Sequence, residues 1–351
     1  MQRIAFLSAV FVLTLAGASE AVAQPDVFTV GDLQARPGTR VSGWLEVPAG
    51  VDEGTRIPVT VIQGTRSGPV LALVAGTHGY EYPPVTALQH IRRDLDPAAL
   101  RGTVILVHVA NLPSFLGRTV YYSPVDGKNL NRVYPGAPDG TVCDRIAHII
   151  TREVIDRCDY LVDLHGGDGN EALRPYSYWM IGGDERVDEV SRQMTLFFGL
   201  DHIVIDRERP QDPNASVYTA NTAVLRGKPA ITTETGRLGT NEEVWVEMAE
   251  RGVWNLLRYF EMVAGEVETP GPVVWLEDYL VVRSPATGVW EPAVLDGYYI
   301  AEGGLLGTLY DLFGDPVQQI RAPFAGVVNY VVATPPVSEG EPVAMVSRVK
   351  R

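Results

Sequence analysis

The sequence predicts an α/β fold with a largely parallel or mixed sheet flanked by helices, followed by a smaller all-β region. Two observations carry this. Four continuous apolar runs, Val70 to Ala75, Val104 to Val109, Tyr160 to Leu164 and Pro229 to Thr232, are separated by helical sequence, and such runs suit strands covered on both faces. After Glu268-Thr269-Pro270-Gly271-Pro272 the pattern changes to short β-like runs punctuated by glycine and proline, with no further helix.

At the N-terminus, Arg3, the apolar stretch Ile4 to Leu15 and Ala21-Val22-Ala23 read as a cleavable secretory leader over residues 1 to 23. The apolar stretch is shorter than the roughly 20 residues a spanning helix needs. The expected mature chain starts at Gln24, is soluble, and lies in the periplasm or outside the cell, with no membrane association after cleavage. Residues 24 to 268 then form the main domain and 273 to 351 the C-terminal β domain.

The main domain opens with two alternating runs, Thr39 to Val47 and Arg56 to Ile62, which predict a β-hairpin. The apolar runs follow. Helices are expected over Pro83 to Leu95, with prolines in the first turn where their missing donors cost least, and over Asp144 to Arg157, Val187 to Phe198 and Glu242 to Ala264. In the C-terminal region Arg283-Ser284-Pro285-Ala286-Thr287-Gly288-Val289 is echoed by Arg321-Ala322-Pro323-Phe324-Ala325-Gly326-Val327. This resembles the two halves of barrel-sandwich domains that carry lipoyl or biotinyl groups. The lysine such domains modify has no counterpart, Lys350 being the sole lysine of the region.

Hydrophobic residues make up 46% of the chain and charged residues 21%, enough to bury a substantial core. A net charge of -14 repels phosphate backbones and argues against nucleic-acid partners. Cys143 and Cys158 flank a predicted helix whose rise over that span is about 22 Å, too far for a disulfide. Two free thiols are expected.

The chemistry-bearing residues fall where apolar runs end, the place where open α/β sheets bind ligands. His78 and Glu81, three positions apart in a turn after the first run, can face one point. A hydrolytic zinc site takes three protein ligands and leaves a position for water. His165, at the end of Tyr160 to Leu164 and followed by Gly166-Gly167, is the third candidate. His108 reads as a core histidine, and His90, His148 and His202 as structural or surface residues. Asp163 shares a strand face with His165 and either orients its imidazole or serves as an ordinary cap. Glu234, at another strand tip, is placed to act as general base. Asn131 and Arg132, in Asn129-Leu130-Asn131-Arg132, can grip a substrate carboxylate, and Arg118 can polarise the scissile carbonyl.

Taken in order, His78-x-x-Glu81, Asn131-Arg132, His165 and Glu234 resemble the zinc carboxypeptidase fold, and more closely its succinylglutamate desuccinylase/aspartoacylase branch, over roughly residues 40 to 340. The resemblance implies a zinc-carboxypeptidase-like mixed sheet and one Zn2+ per chain held by His78, Glu81 and His165. It further implies water activated by Glu234, Arg118 on the carbonyl, and an acyl-amino-acid carboxylate held by Asn131 and Arg132. Asn129 departs from the aspartate many relatives carry, Tyr121 to Lys128 reads as an insertion, and Tyr298 and Tyr299 are candidates for the family's C-terminal tyrosine. The expected activity is deacylation of a small molecule bearing an amide and a carboxylate. An exported metallocarboxypeptidase acting on peptides or cell-wall fragments, and a binding protein without activity, are the alternatives. A deacylase calls for a mouth crowded by the C-terminal region, a peptidase for a longer groove.

Overall fold

The computed structural model describes residues 27 to 351; the leader read over residues 1 to 23 lies outside them. The chain opens with a small hairpin, β1 (Phe28–Val30) and β2 (Leu33–Ala35). Next come β3 (Thr39–Val47) and β4 (Thr55–Gln63), paired antiparallel along their whole length as their alternation predicts. β5 (Arg66–Ala75), α1 (Tyr82–Asp94), β6 (Arg101–Val107), α2 (Leu112–Gly117) and α3 (Val142–Glu153) follow. After them come β7 (Tyr160–His165), β8 (Glu171–Leu173), β9 (Tyr176–Met180), α4 (Glu185–Phe198), β10 (His202–Asp206), α5 (Thr219–Leu225), β11 (Ala230–Glu234) and α6 (Glu243–Tyr259).

The predicted helices are present, with ends shifted by a few residues. α1 starts with prolines in its first turn and carries Arg92 and Arg93 in its last turn, where cations suit the negative end of the helix dipole. α3 begins earlier than its hydrophobic spacing suggests because Thr141 and Asp144 form a reciprocal capping box; a short 3-10 turn, Ile155–Arg157, finishes the predicted span. α2, α5, β8 and β9 have no counterpart in the periodicity reading. β9 escapes it because Tyr176-Ser177-Tyr178 is not a continuous apolar run.

Together with β12 (Val274–Arg283), β14 (Tyr299–Ile300), β17 (Gly326–Val332) and β19 (Pro342–Val349) from the C-terminal region, the strands assemble into one mixed sheet in the order β14-β17-β19-β12-β10-β9-β11-β7-β5-β6-β4-β3, with β8 attached to β17. At its centre β7 lies parallel to both β5 and β11, while β9 runs antiparallel to β11. Both faces are covered. Along β5, Leu71, Leu73 and Ala75 pack with Val85, Leu88 and Ile91 of α1, Met194 and Phe198 of α4 and Leu256 of α6. The intervening Ala72 and Val74 pack with Ile146 and Ile150 of α3 and Ala223 of α5 on the other face. That two-sided burial is why the β5 run is continuously apolar.

The composition change near residues 268 to 273 does not interrupt the sheet. β12 (Val274–Arg283) pairs parallel with β10. Beyond it come β13 (Gly288–Pro292), β14 (Tyr299–Ile300), β15 (Leu305–Tyr310), β16 (Pro316–Arg321), β17 (Gly326–Val332), β18 (Pro336–Val337) and β19 (Pro342–Val349). A second, four-stranded antiparallel sheet, β16-β15-β13-β18, faces the end of the large one across a core containing Trp290, Leu306, Leu309, Val328 and Val346. The two sequence repeats occupy equivalent corners: each arginine ends a strand, β12 or β16, and each glycine begins the next, β13 or β17. Glycine is required there by close approach, since a Cβ on Gly288 would stand 2.2 Å from the Tyr310 carbonyl oxygen and one on Gly326 2.1 Å from that of Ser347.

Among the described residues no helix is long and apolar enough to cross a membrane. Cys143 and Cys158 are buried free thiols, as their separation along the helix requires.

Candidate active site

β5 ends at Ala75, and the next residue, Gly76, has a positive φ that turns the chain toward His78 and Glu81. His165 is the last residue of β7, and all three side chains are buried. One ligand atom from each lies within 4.8 Å of the others. His78 Nδ1 is 2.7 Å from Glu81 Oε1, and His165 Nδ1 is 3.0 Å from Glu81 Oε2.

The outward nitrogens have their own neighbours. His78 Nε2 is 3.1 Å from Asn129 Oδ1. His165 Nε2 is 3.1 Å from Asp163 Oδ2 and 3.2 Å from Asn131 Nδ2. Partners on Nε2 fix each ring and leave Nδ1 turned to the shared centre. Glu81 Oε2 is buried without an aligned hydrogen bond. Two imidazole nitrogens and a buried carboxylate oxygen without an aligned hydrogen bond are a donor set that fits a divalent ion such as zinc. Burial alone would raise the Glu81 carboxyl, but His165 and His78 hold it below the ordinary carboxylate range.

Glu234 ends β11 and is the register partner of His165 on β7 and of Tyr176 on β9. Its carboxyl is pushed well above the ordinary range by burial and by the charges of Glu81, Glu171 and Asp163, with His165 acting in the opposite sense. A carboxyl in this setting can hold a proton as well as release one.

These residues open onto a cavity of about 250 Å³. Its walls follow the two-residue period of the strands: Tyr176 and Tyr178 from β9, Thr232 and Glu234 from β11, Glu171 and Leu173 from β8, and Val281 and Arg283 from β12. Asn131 and Arg132 also line it. The Asn131 side-chain oxygen accepts from the Thr219 backbone N–H and hydroxyl, which orients the amide, and the Arg132 guanidinium lies 4.8 Å from the Tyr218 ring centroid.

Arg118 is not brought here. It is an exposed left-handed cap at the end of α2 and does not line the cavity, so its closeness in sequence to Asn131-Arg132 does not become closeness in space. A largely buried cation that does line the cavity is Arg209, on the loop after β10. It is ion-paired to the buried Asp206 and stacked 3.8 Å from the Tyr218 ring centroid. No local motif marks it. Tyr298 and Tyr299 are exposed, and the C-terminal tyrosine lining the cavity is Tyr330 of β17, 7% exposed. Tyr121 and Tyr122, in the segment read as an insertion, line it too. His108 is held by Thr60, His90 by Glu250 and His202 by Asp201 and Arg174, so these three are structural, as read.

A model of the succinylglutamate desuccinylase/aspartoacylase catalytic domain matches residues 67–260. The chain is 31% identical over 318 residues to an N-alpha-acetyl-L-2,4-diaminobutyric acid deacetylase of Halomonas elongata, covering 88% of this chain and 91% of that protein. Among solved structures it is similar to the product-bound ectoine utilization protein of Ruegeria pomeroyi, at TM-score 0.80 and 28% identity over 93% of this chain and 99% of that one. It is also similar to a succinylglutamate desuccinylase of a Silicibacter species, at TM-score 0.77 and 26% identity over 89% and 95%. The chain belongs to the succinylglutamate desuccinylase/aspartoacylase family.

Proposed function

We propose that this protein is a zinc-dependent deacylase that hydrolyses the amide of a small N-acyl amino acid. The observation that carries the reading is a small cavity holding both the metal-type triad and Glu234, walled in part by Val281, Arg283, Tyr330, Pro342 and Met345 of the C-terminal strands. At about 250 Å³ it falls below the 300 to 1,000 Å³ typical of drug-sized ligands. A peptidase needs a groove running past its metal, so this enclosure favours deacylation. The relative that removes an acetyl group from diaminobutyric acid supports the same choice.

Zinc, when bound by His78, Glu81 and His165, supplies Lewis acidity to the attacking water and the amide carbonyl. Asn131 with Arg132 and Arg209 holds the substrate carboxylate and orients the amide toward Glu234. Glu234 takes the proton from water as its oxygen bonds to the carbonyl carbon, and returns it to nitrogen as the carbon–nitrogen bond breaks. The products are the acyl carboxylate and the free amino acid. The leader read over residues 1 to 23 supports export, which a mature N-terminus at Gln24 in the periplasmic fraction checks.

The test is turnover of a panel of N-acetyl amino acids and C-terminal peptides by zinc-loaded protein, alongside Glu234→Gln. The expected result is hydrolysis of N-acetyl amino acids, with kcat reduced at least 100-fold in the variant while zinc content is unchanged. Absence of amide turnover by a wild type carrying stoichiometric zinc refutes the enzyme reading in favour of a binding protein, and a preference for peptides refutes the deacylase.

A further inference from the structure

The cavity lining carries charges of both signs: Arg132, Arg209 and Arg283, and, projecting from β8 beside Leu173, Glu171. Glu171 is already positioned. One carboxylate oxygen accepts from the Tyr121 hydroxyl at 2.8 Å, and the other accepts from the Asp168 backbone N–H at 3.2 Å. The Asp168 carboxylate in turn is held by the Tyr121 and Gly169 backbone N–H groups.

No cation pairs with Glu171 among the described residues. Each cavity arginine is engaged elsewhere: Arg209 with Asp206, Arg132 with the Asn131 carbonyl, and Arg283 with the Gly340 carbonyl. A carboxylate withdrawn from water without a counter-ion is costly. Burial, followed by the charge of Asp168, pushes Glu171 up to about 7. A cation arriving with the substrate would relieve that cost.

We infer that Glu171 is a specificity residue that receives a cationic amine at the end of a short substrate side chain, making the substrate an N-acyl diamino acid. The inference rests on the deacylase reading and deepens it. An N-acyl amino acid carries three groups on its α carbon, and the cavity lining offers partners for each. The acylamino group meets the metal-type triad and Glu234, the carboxylate meets the arginines, and the side chain is left to Glu171 and Leu173. The cavity volume limits that side chain to a few atoms. Tyr121, which touches both Glu171 and Asp168, closes this wall from the segment between α2 and Asn129.

The experiment compares kcat/KM for Nα-acetyl-L-2,4-diaminobutyrate with that for its neutral isostere Nα-acetyl-L-norvaline, in wild type, Glu171→Gln and Glu171→Lys. The wild type is expected to favour the cationic substrate by roughly 10- to 100-fold. Glu171→Gln, which keeps an acceptor oxygen for Tyr121, should bring the ratio close to one, and Glu171→Lys should shift preference toward Nα-acetyl-L-glutamate. A wild type that cleaves both substrates equally, or a glutamine variant that slows both by one factor, overturns the inference and leaves the deacylase standing. Failure of the zinc-loaded wild type on every N-acetyl amino acid instead removes the deacylase reading, and this inference with it. Should the variants fail to fold, inhibition of the wild type decides. Stronger competition by 2,4-diaminobutyrate than by norvaline supports the assignment, and equal competition overturns it.

Discussion

Asp163 illustrates how one residue carries several functions of a strand tip. It is completely buried, two positions before His165 on the same face of β7, with Oδ2 3.1 Å from Nε2. A carboxylate in that position orients the ring and raises its basicity toward a metal. Asp163→Asn keeps the shape and removes the charge; zinc affinity measured by competition with a chelator is expected to fall 10- to 100-fold. An unchanged affinity would mean that Asp163 only fills space. His108 makes the complementary case of a histidine that does no chemistry. Burial, aided by the nearby charge of Arg92, lowers it from 6.5 to about 4, and its Nε2 meets the Thr60 hydroxyl at 2.8 Å. Below pH 6.5 the unfolded chain takes up a proton that the native chain does not. Stability is therefore undiminished above pH 6.5, falls between 6.5 and about 4, and suffers no further loss from this group below that. The total is about 3 kcal/mol by linkage. His108→Gln should flatten that part of the pH dependence in denaturant unfolding at pH 7 and pH 4.5, and an identical pH difference in variant and wild type would count against this account.

At the scale of elements, periodicity revealed what lies between two apolar layers. The β3–β4 hairpin and the runs now seen as β5, β6, β7 and β11 were legible because each strand's burial is written into its own residues. Three of the four chemical groups of the centre, His78, His165 and Glu234, could then be placed at the ends of those runs. β8 and β9 were not legible, because β8 spans only three residues and the cavity-facing Tyr176 and Tyr178 of β9 alternate with a serine instead of forming a continuous apolar run. The same strands supply Glu171, Tyr176 and Tyr178, so the feature that hid them is the one that makes the cavity selective. The repeat at Gly288 and Gly326 was visible as sequence similarity, but its cause lies in contacts with strands far away in the chain. Gly326→Ala forces a methyl against the Ser347 carbonyl across the β17–β19 pair and is expected to cost about 2 kcal/mol. Thermal unfolding of the variant measures it; a melting temperature equal to wild type would show that the strands shift apart freely.

Across the whole molecule, the C-terminal strands act both as a continuation of the sheet and as the wall of the cavity. Leu173, Tyr176 and Val204 share a cluster with Leu276, Val327, Tyr330 and Met345. A chain ending at Glu268 would expose that cluster and leave β10 as a bare sheet edge, conditions that promote aggregation. The truncated protein is expected to be insoluble or, if recovered, devoid of deacylase activity. A soluble fragment with cooperative unfolding and normal turnover would show that residues 269 to 351 are a separable cover.

The α/β class, the buried strands and the placement of His78, His165 and Glu234 at or just after strand ends were legible in the chain alone, because burial periodicity and strand ends are local properties, while the ordered set with Glu81, Asn131 and Arg132 was legible through its resemblance to the family. The sequence could not determine what surrounds those residues. Arg118 lies outside the cavity, while Arg209, Glu171 and Tyr330 line it, a result of the folded arrangement in which β8 pairs with β17 and β10 with β12. Pairings between strands distant in sequence depend on how whole layers pack, and leave no signature in the spacing of any single segment.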